Sequence, residues 1–162
     1  MDSRRRHGRI FVAAVAAALA LVAPAQAAQP RSEAITDAGT DVVSCDGFDA
    51  VLQRSFDGRV TVFFDGEGNP VRLQVLVNVS GSLTNTTTGL SLPVRGHVHF
   101  VFDFAAGTDT FVGPVFIVTR VGEGAVVKDV GRIVFSGDGL VFEAGPHDAI
   151  ASGGQALCDA VA

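Results

Sequence analysis

Apolar and polar side chains alternate in short runs over most of the chain from residue 49 to residue 145. Val71, Leu73, Val75, Val77 and Val79 share one parity. Arg72, Gln74 and Asn78 share the other, with Leu76 as the exception. Successive side chains of a strand point to opposite faces, so this run reads as a half-buried antiparallel strand. From 90 to 104 the pattern is longer. Leu90, Leu92, Val94, Val98, Phe100, Phe102 and Phe104 face one way, and Ser91, Pro93, Arg95, His97, His99 and Asp103 the other. A strand of that length would extend about 50 Å, so a bend or break is expected at Pro93 or Gly96.

The same reading places strands at 49–56, 59–64, 71–80, 90–104, 109–121, 125–135 and 140–145. Between them lie Asp57-Gly58, Asp65 to Pro70, Gly81 to Gly89, Ala106-Gly107-Thr108, Gly122-Glu123-Gly124 and Ser136 to Gly139. These residues tolerate positive φ or bond their own backbone, and they read as turns. Regular turns between short β-rich runs indicate an all-β domain. The expected architecture is an antiparallel β-barrel of about seven to eight strands, with a β-sandwich as the alternative. One short helix is expected over Gln155 to Val161. Residues 28–44, small and polar, read as a flexible leader, which leaves 45–162 as a single domain.

One strand breaks its own pattern. Val127, Ile133 and Phe135 share parity with Asp129 and Gly131. Either Asp129 points into an apolar interior, or a bulge at Gly131 shifts the register. An unpaired buried carboxylate is costly, so the bulge is the expected solution.

Composition narrows the class. With 48% hydrophobic and 18% charged residues the chain is not disordered. Arg4, Arg5, Arg6 and Arg9 precede an apolar run from Ile10 to Val22, followed by Ala25-Gln26-Ala27. These are the three parts of a secretory signal peptide, with cleavage expected after Ala27, and the run is too short to span a membrane. The expected location is therefore secreted or extracellular, with no membrane anchor after cleavage. Loss of residues 1–27 removes four Arg and one Asp, leaving 8 basic and 16 acidic side chains and a net charge of −8. Such a surface argues against a nucleic-acid partner. Cys45 and Cys158 are the only cysteines. In an oxidising compartment a lone pair is expected to form a disulfide, and this one brings the two ends of the domain together.

Candidate chemistry is sparse. His97-Val98-His99 puts two imidazoles on one strand face, with Asp103 at the same parity and His147-Asp148 able to join them. Zinc or iron would accept such ligands, but these residues lie on the polar stripe with Arg95, so a solvated face is the simpler reading. Glu143, His147 and Asp148 cluster after the last strand and could do acid–base work, against a plain turn at Gly145-Pro146. Asp129, if buried, is the better acid or base, because desolvation raises a carboxyl pKa. Phe100, Phe102 and Phe104 are the candidate lining of an apolar ligand pocket. No nucleophile elbow, phosphate loop or metalloprotease motif is present, and no cofactor is implied. Asn78-Val79-Ser80 and Asn85-Thr86-Thr87 match the glycosylation sequon.

Four stretches carry a resemblance: Gly-Glu-Gly (122–124), Asp-Val-Gly-Arg-Ile-Val-Phe (129–135), Phe-Glu-Ala-Gly-Pro-His-Asp (142–148) and Leu-Cys-Asp-Ala (157–160). Through them the chain resembles a group of small secreted proteins of high-GC Gram-positive bacteria. Its architecture resembles the allene oxide cyclase and dirigent β-barrels in strand count and apolar inner face. The resemblance implies location and fold, and carries no catalytic residue across. The Gly-x-Trp signature of lipocalins cannot occur in a chain without Trp. Three functions follow as expectations: a small β-barrel that binds an apolar small molecule, a non-catalytic extracellular interaction domain, and an isomerase or cyclase working in a barrel mouth. A metal-dependent, cupin-like enzyme is a weaker fourth. The sequence sets no oligomeric state.

Overall fold

A computed structural model describes residues 29–137 and 139–162. The expected signal peptide, 1–27, lies outside the described residues. The chain forms β1 (Arg31–Ser44), β2 (Asp49–Phe64), β3 (Pro70–Asn85), β4 (Ser91–Asp103), β5 (Thr108–Arg120), β6 (Gly124–Ser136) and β7 (Gly139–Ala144). Two short helices follow, α1 (Asp148–Ala151) and α2 (Gln155–Val161). Each strand pairs antiparallel with the next, in a single sheet of order β1-β2-β3-β4-β5-β6-β7.

The alternation read from the sequence sets the register. Leu73, Val75, Val77 and Val79 of β3 are buried, while Leu76 is exposed. Val60, Val75, Phe100, Phe111 and Ile133 stand opposite one another in turn across five strands. Such cross-strand apolar rows hold a sheet at one register, because a slip by one residue would turn the whole row into water. The β4–β5 ladder breaks between Arg95 and His99, across Gly96, whereas β4 pairs with β3 without interruption. The expected irregularity in this run is thus at Gly96 rather than Pro93.

Three expectations are corrected. Residues 31–44 form the edge strand β1, paired with β2 along its whole length. Its side chains are small and polar, and the backbone ladder that orders it leaves no mark in hydropathy. Asp57-Gly58 is not a turn: both residues pair on two sides within β2. A Cβ on Gly58 would collide with the Leu76 carbonyl, so glycine permits close approach of β3 here. Third, no ladder joins β1 to β7, so the sheet is not closed into a barrel by hydrogen bonds.

The buried side chains of the sheet form two apolar clusters. One gathers Ala50, Leu52, Leu83, Leu92, Val94, Phe116, Val118 and Val127 around Ala149, Leu157, Ala160 and Val161 of the helical segment. The other contains Phe56, Val60, Leu73, Val75, Val77, Val79 and Val98. Val115 packs against both. The helices are anchored by polar contacts as well. Asn85 Nδ2 donates to the Val161 carbonyl at 2.9 Å, and an Arg120 N–H donates to the Ala160 carbonyl at 2.5 Å. The expected disulfide is present: Cys45, just after β1, bonds Cys158 of α2 across 113 residues, with the Cα atoms 5.6 Å apart.

Candidate functional site

The strand with the broken pattern builds the site. Val127, Asp129 and Ile133 of β6 are all buried, and Asp129 has no exposed surface. The carboxylate therefore faces the interior, and the expected bulge at Gly131 does not turn it outward. Gly131 pairs in register with Gly113. The irregularity lies on the partner strand, where Pro114 pairs with Val130, Phe116 pairs with Asp129, and Val115 is the extra residue. Proline lacks the N–H that a regular ladder would use, which suits it to the flank of a bulge. The bulge swings Phe116 to the same face as Asp129.

The segment after β7 delivers a second buried polar group. Beyond Gly145 the chain keeps running antiparallel to β6 instead of turning away. The Val130 N–H donates to the Pro146 carbonyl at 2.8 Å, Asp129 and His147 form a β-bridge, and the Lys128 N–H donates to Asp148 Oδ2 at 2.8 Å. Gly131 and Gly145 make this approach possible. Each has positive φ, and a Cβ on either would run into the backbone carbonyl of the opposing chain. His147 is thereby buried beside Asp129, with Nδ1 3.9 Å from Oδ1 and Nε2 3.2 Å from the Ala144 carbonyl oxygen. The contact to a carbonyl assigns the ring proton to Nε2, leaving the Nδ1 lone pair toward Asp129 in the neutral ring.

Neither Asp129 oxygen, nor His147 Nδ1, has a protein hydrogen-bond partner. Burial pushes the Asp129 carboxyl up from 3.8 to about 6. The amides of Ile150 and Ala149, facing the carboxylate beyond hydrogen-bond geometry, and the His147 ring oppose that rise, while Asp148 adds to it.

Asp129, with no accessible surface of its own, backs a cleft of about 790 Å³ between β1–β2 on one side and β5, β6 and the helical segment on the other. Leu52, Phe116 and Leu157 supply buried apolar lining, and Val42 and Ile150 form an exposed rim. Arg54 and Asp41 form an ion pair in the same lining. Arg54 occupies an inward position of β2 between Leu52 and Phe56, its guanidinium 5.5 Å from the Phe56 ring centroid, and its Nε–H has no acceptor. The cleft thus offers a partly exposed Arg54–Asp41 ion pair and apolar walls, with the Asp129 carboxylate buried behind them. This is the usual make-up of a small-molecule site.

Sequence reasoning singled out Asp129 and His147, and the structure brings them together. Glu143 is exposed on β7, opposite Ile133, and does not join them. Asp148 bonds the β6 backbone. Phe100 and Phe102 pack beside the second apolar cluster, with ring centroids 6.4 Å apart, and Phe104 is exposed. None of the three lines the cleft. His97 bonds Asn78 Oδ1 through Nδ1 at 2.8 Å, and Asp103 Oδ1 accepts the Ala106 N–H. Among the described residues, no group of three or more His, Cys, Asp or Glu is arranged to hold a metal ion. Asn85 of the second sequon is buried. Arg54 and Asp41 were missed. An arginine at the parity of Ala50, Leu52 and Phe56 was the available signal. Compared with protein-family models, curated proteins and solved structures, the chain matches none.

Proposed function

We propose that this is an exported small-molecule-binding protein whose sheet works as an incomplete barrel. Its ligand enters the cleft between β1–β2 and the β6–α1 wall. The observation that carries this reading is an open cleft with apolar walls, behind which lies a fully buried carboxylate, Asp129, faced by the Ile150 and Ala149 amides but making no hydrogen bond of good geometry. A buried unsatisfied carboxylate destabilises a fold, so its retention favours a use for it. The cleft volume falls within the roughly 300–1,000 Å³ of ordinary ligand pockets. The ligand has an apolar body held against Leu52, Phe116 and Leu157, and a polar group directed to the partly exposed Arg54–Asp41 pair. The disulfide and the acidic surface fit an extracellular setting.

Native mass spectrometry of protein collected from culture supernatant should show a retained small molecule. A thermal-shift series of amphipathic alcohols and ketones should raise the melting temperature. Ile150→Trp, which adds bulk at the exposed rim, should weaken binding about tenfold, equivalent to about 1.4 kcal/mol, with little change in stability. A protein that retains nothing and responds to no compound would overturn the reading.

A further inference from the structure

We propose a second ligand site, outside the cleft: the aromatic face of β4–β7 takes an organic ammonium cation with an apolar body. The face is set by register. Phe100 of β4 stands opposite Phe111 of β5, and Phe102 stands opposite Asp109. Asp109 in turn stands opposite Phe135 of β6, and Phe111 opposite Ile133, whose partner on β7 is Glu143. Directly opposed residues share a sheet face. Four phenylalanines and two carboxylates therefore lie together, on the face where Phe100 and Phe102 pack beside the second apolar cluster. The rings are in contact. Phe111 meets Phe100 edge to face with centroids 4.9 Å apart, and meets Phe135 likewise at 5.7 Å. None of these residues lines the cleft.

Every group that the ligand touches is accessible. The four rings are partly buried, and Asp109 and Glu143 are exposed. The two carboxylates stand two strands and one inward position apart, about 12 Å by sheet spacing, so a cation seated on Phe111 and Phe135 lies between them. Neither carboxylate forms an ion pair among the described residues. The arginine of β6, Arg132, has the other parity and points away, its guanidinium 5.4 Å from the Phe142 ring centroid. Loss of water beside Phe102 and Phe135 holds the Asp109 carboxyl above its ordinary 3.8. The charge complementarity selects the ligand. An anion is repelled by both carboxylates, and a neutral apolar molecule would dehydrate them without offering a partner. A cation is attracted to the carboxylates and to the negative ring faces at once, and its apolar body covers the rest of the phenylalanine row.

The test titrates the disulfide-bonded protein with benzyltrimethylammonium, with its neutral isostere neopentylbenzene, and with phenylacetate, following amide and aromatic NMR shifts. Benzyltrimethylammonium should move the Phe111 and Phe135 resonances and bind about tenfold or more tighter than the other two. Asp109→Asn should weaken it about three- to fivefold, and Asp109→Asn combined with Glu143→Gln about tenfold. Both positions are exposed, so these variants keep the fold. Ile150→Trp, at the rim of the cleft, should leave this affinity unchanged, which separates the fate of this site from that of the cleft reading. Neopentylbenzene or phenylacetate binding as tightly as the cation overturns the proposal. So does a cation that leaves Phe111 and Phe135 unmoved, or a double variant that binds it as well as wild type does.

Discussion

A carboxyl group withdrawn from water resists ionisation, and Asp129 shows what that means for stability. Its carboxyl titrates near 6 in the folded chain against 3.8 in its ordinary state. Well below pH 3.8 the group is protonated whether the chain is folded or not, and it contributes nothing. As pH rises toward 6 the unfolded chain ionises first, so the folded state loses stability, on the order of 3 kcal/mol once both forms are charged. Asp129→Asn removes that loss. The variant should therefore be more stable than wild type at pH 7.5, by roughly 5–10 °C in melting temperature, and the advantage should shrink as pH falls to 4. Thermal melts across this range decide it, and a variant less stable than wild type at pH 7.5 would mark Asp129 as a structural residue. At this scale the sequence was legible only in part. The parity of Val127, Asp129 and Ile133 already held the answer, since β6 keeps its register through Gly131 and the extra residue, Val115, lies in the neighbouring strand. Arg54 stood at an apolar parity in full view, yet its partner Asp41 lay in a segment read as unstructured.

Among the elements, the junction between β6 and the segment after β7 is the most demanding. Gly131 and Gly145 let two backbones pass at a separation that a side chain would forbid, and this passage carries His147 to Asp129. Gly131→Ala should cost about 2–4 kcal/mol, since it combines an unfavourable positive φ with a collision against the Ala144 carbonyl. Urea unfolding measures the cost. Hydrogen exchange at the Val130 amide should quicken, because its bond to Pro146 is the nearest one displaced. The well-alternating strands β3 and β4 were readable because one face of each is dry. β1 was not, because an edge strand can be held by its ladder while showing few apolar side chains. Nor was the full length of β2, where an Asp-Gly pair resembles a turn but serves a close approach between strands.

Over the whole molecule, the all-β class, the antiparallel order and the Cys45–Cys158 bond were legible from alternation, turn residues and cysteine count. The closure of the sheet was not, since hydropathy does not say whether the outermost strands meet. α2 touches both β1 and β6, and with α1 it joins the first apolar cluster and forms one wall of the cleft. Their covalent tie is the disulfide, whose loop of over 100 residues stabilises the fold by about 4–5 kcal/mol in the chain-entropy model. Cys45→Ser combined with Cys158→Ser should lower the unfolding free energy by about that amount, measured by urea titration. Ligand affinity should fall with it, because α2 then holds its wall by packing, the Asn85 and Arg120 contacts alone.

The sulfur bond has a consequence for biogenesis. With two cysteines in the chain, a single intramolecular bridge exists and no scrambled isomer can compete with it. Formed early, the bridge merely tethers the extremities, and formed late, it seals a finished meander. The route to the mature molecule calls for an oxidant but for no shuffling enzyme.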